Sequence, residues 1–132
     1  MLINLTNHPS DKWSEKQKQS AVEEYGFVLD MPFPQIDPHA DTADIEKLAH
    51  KYLDRCRGEF DTANIPVDQQ AYNEAVHIMG ELTFVYAFAK SAAAAEIACV
   101  ASTNKRTVLE ELDGRKTTHF EFIRFRAYEQ LF

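Results

Sequence analysis

The stretch Ile97-Ala98-Cys99-Val100-Ala101-Ser102-Thr103-Asn104-Lys105-Arg106 changes from apolar to polar in a single step. Residues 97–101 read as a buried β-strand. Two hydroxyls, an amide and two cations follow at once. In an open parallel sheet, ligands sit in the crevice beyond the carboxyl ends of the strands. A Ser-Thr-Asn-Lys-Arg cluster placed there offers hydrogen bonds and positive charge suited to a phosphodiester. A strand running into a solvated loop explains the same residues equally well.

Working upstream, residues 75–79 read as a strand. Gly80-Glu81-Leu82-Thr83 then turns into a helix over 83–95, whose Ala and aromatic content all round predicts burial. Residues 1–6 are a short apolar strand, and Pro9 with its polar neighbours breaks the pattern over 7–11. A polar helix follows over 14–25, with Ser14 as its cap and Gly26 ending it. Residues 27–31 form the next strand. The three prolines of Pro32-Phe33-Pro34-Gln35-Ile36-Asp37-Pro38 make a rigid, extended connector. Asp41 or Thr42 caps a helix running to about Cys56, with Ile45, Leu48, Ala49, Tyr52 and Leu53 on one face. Residues 58–74 read as a polar loop.

Downstream, residues 107–112, the Asp113-Gly114 turn and residues 117–128 read as a β-hairpin. Strands alternating with helices predict an α/β fold with a Rossmann-like, mainly parallel sheet flanked by helices and a C-terminal antiparallel β-hairpin. The 132 residues form one domain, with 45% hydrophobic and 27% charged residues, as in soluble globular chains. The start of the chain turns polar at once, and no apolar run reaches the roughly 20 residues that span a bilayer. Cys56 and Cys99 lack metal-ligand spacing and read as reduced thiols of a cytoplasmic protein.

The net charge of −7 argues against a general binder of duplex nucleic acid. Through Thr103 the chain carries 8 cations and 16 acids; thereafter it carries 6 and 5. An acidic body with a local cationic segment suits a compact anionic ligand.

A parallel sheet brings several segments to one edge. The first strand delivers Asn7 and His8, the third Gly80, Glu81 and Thr83, the fourth Ser102, Thr103, Asn104, Lys105 and Arg106. His8 is an acid/base candidate or an ordinary loop histidine. Gly80 lets backbone approach a ligand at a helix N-terminus. Glu81 orients a ribose hydroxyl or favours the helix start, and Thr83 shapes the site or caps. His77, in mid-strand, reads as a packed residue before a functional one, and Trp13 as a core or interface anchor. Arg124 and Arg126 read best as cross-strand partners of Glu110 and Glu121, and otherwise as phosphate ligands or a subunit edge. GxGxxG, Walker and GxSxG patterns are missing from the sequence, so no cofactor and no metal is assigned.

Leu5-Thr6-Asn7-His8-Pro9-Ser10 with Glu15-x-Gln17 opens the chain. Ala101-Ser102-Thr103-Asn104-Lys105-Arg106, then Glu110, Asp113-Gly114 and Phe122-Ile123-Arg124-Phe125-Arg126-x-Tyr128, closes it. Together these resemble the small CARF-like ancillary proteins of type III CRISPR systems, the short Csx-type group. The cluster here departs from that group's commoner Thr-Thr-x-Arg form. The resemblance implies a homodimer that binds a cyclic oligoadenylate second messenger, cyclic tetra-adenylate in the first place. It further implies either a metal-independent ring nuclease that leaves 2′,3′-cyclic phosphate ends and switches off antiviral signalling, or a sponge that only holds the ring. On the nuclease reading His8, Lys105 and Arg106 are catalytic. Asn7, Gly80, Glu81, Thr83, Ser102, Thr103 and Asn104 bind the ligand.

Overall fold

A computed structural model describes residues 1–63 and 72–131. The elements are β1 (Leu2–Thr6), a 3₁₀ turn (Ser10–Lys12), α1 (Glu15–Tyr25), β2 (Val28–Pro32), α2 (Thr42–Thr62), β3 (Ala75–Ile78), α3 (Leu82–Ala94), β4 (Cys99–Glu110) and β5 (Lys116–Ala127). The sheet order is β2-β1-β3-β4-β5, parallel through β4, with β5 antiparallel at the edge. This is the α/β, Rossmann-like sheet expected, and the Asp113-Gly114 hairpin closes it. The order reverses between β1 and β3, the switch point where doubly wound sheets open a crevice.

Strand periodicity sorts the side chains to two faces. Ile3, Leu5, Val76, Ile78 and Cys99 pack with α2 and α3, through Ile45, Ala49, Leu53, Phe84 and Phe88. Phe84 and Phe88 are fully buried, each contributing roughly 1.5–3 kcal/mol through burial. Leu2, Ala75 and Val100 point the other way, toward Trp13, Ala21 and Tyr25 and the β5 side chains Phe122 and Phe125. Cys56 and Cys99 are buried free thiols, pushed up to about 12 by desolvation.

The helix ends follow their side chains. Ser14 accepts from the Gln17 amide to start α1, and Gly26, at φ 85, ends it. Asp41 and Asp44 form a reciprocal capping box for α2. At the end of α3, Ile97 N–H donates to Ala92 O and Glu96 N–H to Ala93 O. This is a Schellman closure with a glutamate, not a glycine, in the left-handed region at φ 59.

Four expectations change. The strand read over residues 97–101 does not stop there: β4 runs on through Glu110, so the Ser102–Arg106 cluster lies inside a strand and not beyond it. Pairing with β5 satisfies the backbone of these polar residues, and exposure satisfies most of their side chains. The helix read to Cys56 continues to Thr62, so 58–62 are helical; the loop expectation for 64–71 lies outside the described residues. The third helix is not covered all round, since Leu82 and Tyr86 are exposed. Glu121 pairs with Lys16 of α1, and no described acid pairs with Arg124 or Arg126. Among the described residues, no helix is long and apolar enough to cross a membrane.

Candidate functional site

At the carboxyl ends of β1 and β3, beside the first half of β4, lies a crevice of about 640 Å³. Thr6, Asn7 and His8 come from the end of β1, and Trp13, Ser14 and Gln17 from the start of α1. His77, Met79 and Gly80 come from β3 and its exit, Ser102 and Asn104 from β4, and Phe120 and Phe122 from β5. The volume suits a nucleotide-sized ligand. The lining combines aromatic faces, three side-chain amides, hydroxyls and two imidazoles. Among the described residues, two imidazoles and no lysine or arginine line the crevice.

Beneath the floor, a polar row crosses three strands. The sheet register sets Asp30 of β2, Asn4 of β1 and His77 of β3 side by side. Strands about 4.8 Å apart bring such neighbours within side-chain reach. Asn4 donates through Nδ2 to Asp30 Oδ1 at 2.8 Å and to the His8 carbonyl at 2.9 Å. Both partners are acceptors, so the amide can only stand with Oδ1 toward His77. His77 Nδ1 lies 2.9 Å from that oxygen and therefore carries the proton. Thr6 Oγ1 donates to the same oxygen at 2.9 Å. Asp30 is in turn held by the amide and hydroxyl of Ser10.

The remaining nitrogen, His77 Nε2, is left with a lone pair. It is buried and has no hydrogen-bond partner among the described residues. An unsatisfied buried acceptor costs about 1–3 kcal/mol. Trp13 and Phe125 meet the ring edge-on at 5.3 and 5.4 Å. Desolvation, with a smaller push from His8, lowers the imidazole to about 4, so it stays neutral near pH 7. The Trp13 indole donates to the His8 carbonyl at 3.2 Å, pinning the loop over the row.

The expected site residues divide. Asn7, His8, Gly80, Ser102 and Asn104 meet at the crevice. Thr103 is turned away and donates to the Arg124 carbonyl. Lys105 stands opposite Glu121 and Arg106 opposite Phe120, on the hairpin arm beyond the lining. Glu81 is spent as the cap of α3, accepting from the amides of Thr83 and Phe84 and from the Thr83 hydroxyl. Those bonds, the Thr83 hydroxyl first, hold its carboxyl below the usual range. Thr83 lines a separate, largely apolar cavity between α2 and α3. Gly80 is also explained from below: an added Cβ would lie 2.5 Å from the Phe33 ring. Asn4 and Asp30 were not singled out, because only sheet register joins them to His77 across segments so far apart in sequence.

A model described as the uncharacterized protein MJ1673 family matches residues 1–126. The chain belongs to that family. The MJ1673-family match spans every residue of the crevice and the whole Asp30–Asn4–His77 row. No curated protein and no solved structure matches the chain.

Proposed function

We propose that this chain binds a cyclic oligoadenylate, cyclic tetra-adenylate in the first place, as a homodimer, and cleaves it without a metal. The observation that carries the reading is the crevice itself. It lies at the switch point, suits a nucleotide-sized ligand, and offers the exposed Phe120 ring beside the amides of Asn7 and Asn104, with the buried Trp13, Phe122 and Gln17 in its wall. Aromatic faces stack on bases, and side-chain amides read the adenine edge. The resemblance to the small CARF-like proteins points to the same ligand. A two-fold dimer presents two such crevices to a ring of matching symmetry. On one face the hairpin arm also exposes Val108 and Phe120, apolar side chains that a second copy would cover.

In the cleavage step a ribose 2′-hydroxyl loses its proton and attacks the adjacent phosphorus. The 5′-oxygen leaves and takes up a proton, and a 2′,3′-cyclic phosphate remains. His8, exposed at the rim, is the proton carrier of this reading. A CARF-like protein of this kind would act in type III CRISPR signalling inside the cell. Incubation with cyclic tetra-adenylate in EDTA, followed by chromatography, tests it. Linear product with a cyclic phosphate end supports cleavage.

One observation favours the second reading, binding without turnover. Lys105 and Arg106 stand off the crevice, and among the described residues no arginine or lysine lines it. The negative charge of a phosphorane would then have only the His8 imidazole or a partner subunit to meet it. Tight binding with the ring recovered intact selects the sponge.

A further inference from the structure

We infer that His77 Nε2 is a built-in hydrogen-bond acceptor that selects a ligand carrying an N–H or O–H donor, and that for a nucleotide this donor is the exocyclic amine of adenine. The base-specific half rests on the adenylate reading above; the acceptor itself does not. Three observations carry it. The nitrogen is unpartnered among the described residues, although its residue is only 2% exposed. His77 is one of the residues that line the crevice. Its tautomer is fixed from behind by a chain of hydrogen bonds through Asn4 to Asp30 and the His8 carbonyl.

The chain admits one arrangement. Asp30 and the His8 carbonyl can only accept, so the Asn4 amide must donate to both. Its oxygen then faces His77 Nδ1, which must donate. Reversing the amide would set its oxygen against two other acceptors. The tautomer with hydrogen on Nε2 would set two lone pairs against each other at 2.9 Å. Nε2 is therefore an acceptor with no freedom to become a donor. A ligand offering a carbonyl at that point meets repulsion, and one offering an amine completes the bond. Sites built to hydrogen-bond a donor reject analogues lacking it strongly, because the buried partner is left unpaired. Adenine presents the amine where hypoxanthine presents a carbonyl oxygen, so the pair isolates this contact. Asn104 and Gln17, in the same lining, offer the amides that pair with the adenine ring nitrogens.

The test follows the side-chain ¹⁵N resonances of His77 in the full chain, alone and with 5′-AMP, 5′-IMP and cyclic tetra-adenylate. In the free protein Nε2 is expected to be the unprotonated nitrogen at pH 7. AMP is expected to shift the Nε2 resonance, and IMP to leave it in place at the same concentration. AMP should bind at least about tenfold more tightly than IMP, one hydrogen-bond mismatch in a dry site. In His77→Phe that preference should fall to within about threefold, while His77→Gln, which can present a carbonyl, should keep part of it. A proton on Nε2 in the free protein overturns the inference, as does equal response to AMP and IMP or no response to either. If AMP behaves as expected and the cyclic ring does not bind, the acceptor stands and the cyclic-oligoadenylate reading falls.

Discussion

Replacing His77 by Gln should change how stability depends on pH more than it changes stability itself. The imidazole is buried beside Trp13 and Phe125 and falls from 6.5 to about 4. The folded pKa is thus depressed, and the unfolded chain binds the extra proton between these values. Stability is therefore fully present above pH 6.5 and is lost as the pH falls toward 4. A tenfold change in proton affinity is worth about 1.4 kcal/mol, so between pH 7.5 and 4.5 His77 alone removes about 2–3 kcal/mol. Carboxylates titrate in the same range, but they do so in both proteins and cancel in the difference. Urea unfolding of wild type and His77→Gln at four pH values between 7.5 and 4.5 measures it. The gap between the two should move in favour of the variant by about 2–3 kcal/mol across that range. His8, the one charged neighbour acting on the ring, contributes the smaller part, so His8→Gln should keep most of the effect. Parallel curves for wild type and His77→Gln would refute the reasoning, because they would mean that His77 titrates alike in the folded and unfolded chain. A gap moving the other way would mean a cationic His77 and would remove the acceptor as well.

Gly80→Ala sets a Cβ about 2.5 Å from the Phe33 ring and should destabilise by roughly 1–3 kcal/mol, read by thermal melting. Phe33→Leu in the same chain should recover part of that loss; no recovery would place the strain elsewhere. Glu96→Gly relieves a left-handed glutamate at the end of α3 and should raise stability by up to about 1 kcal/mol in urea unfolding. Glu81→Gln weakens the acceptor for the first amides of α3, so hydrogen exchange at Thr83 and Phe84 should quicken while the β1 amides stay protected. For the ligand, Asn104→Leu should weaken cyclic tetra-adenylate binding about tenfold by calorimetry, and Lys105→Ala by less than about threefold if each crevice acts within its own chain. A large loss from Lys105→Ala would instead bring the arm of a second copy into the site.

The architecture was legible because it depends on local pattern. Pro9, Gly26 and the proline connector mark breaks, and Ile45, Ala49 and Leu53 repeat at helical spacing. Asp113-Gly114 names its own hairpin. The end of β4 was not legible. Ser102 to Arg106 carry polar side chains because one face of the strand is solvated and the other lines a crevice, and a polar run of either origin looks the same in sequence. Glu81 and Gly80 were legible as a site edge but not in their roles. Glu81 caps the helix, and Gly80 makes room for Phe33, forty-seven positions earlier in the chain.

The two faces of this sheet are built to different rules. Toward α2 and α3, the strand residues Ile3, Leu5, Val76 and Ile78 are apolar and fully buried, as stability alone demands. Toward α1, apolar Leu2, Ala75 and Val100 occupy only the amino-terminal half. Two residues along, the same face turns polar at Asn4, His77 and Ser102, with Thr6 one step beyond. Burying Asn4, Thr6 and His77 costs desolvation that their mutual bonds offset, except at Nε2. A leucine or valine at position 77 would pack against Trp13 and Phe125 without that cost. The polar row under the crevice is satisfied everywhere but at His77 Nε2, an arrangement that packing alone does not call for.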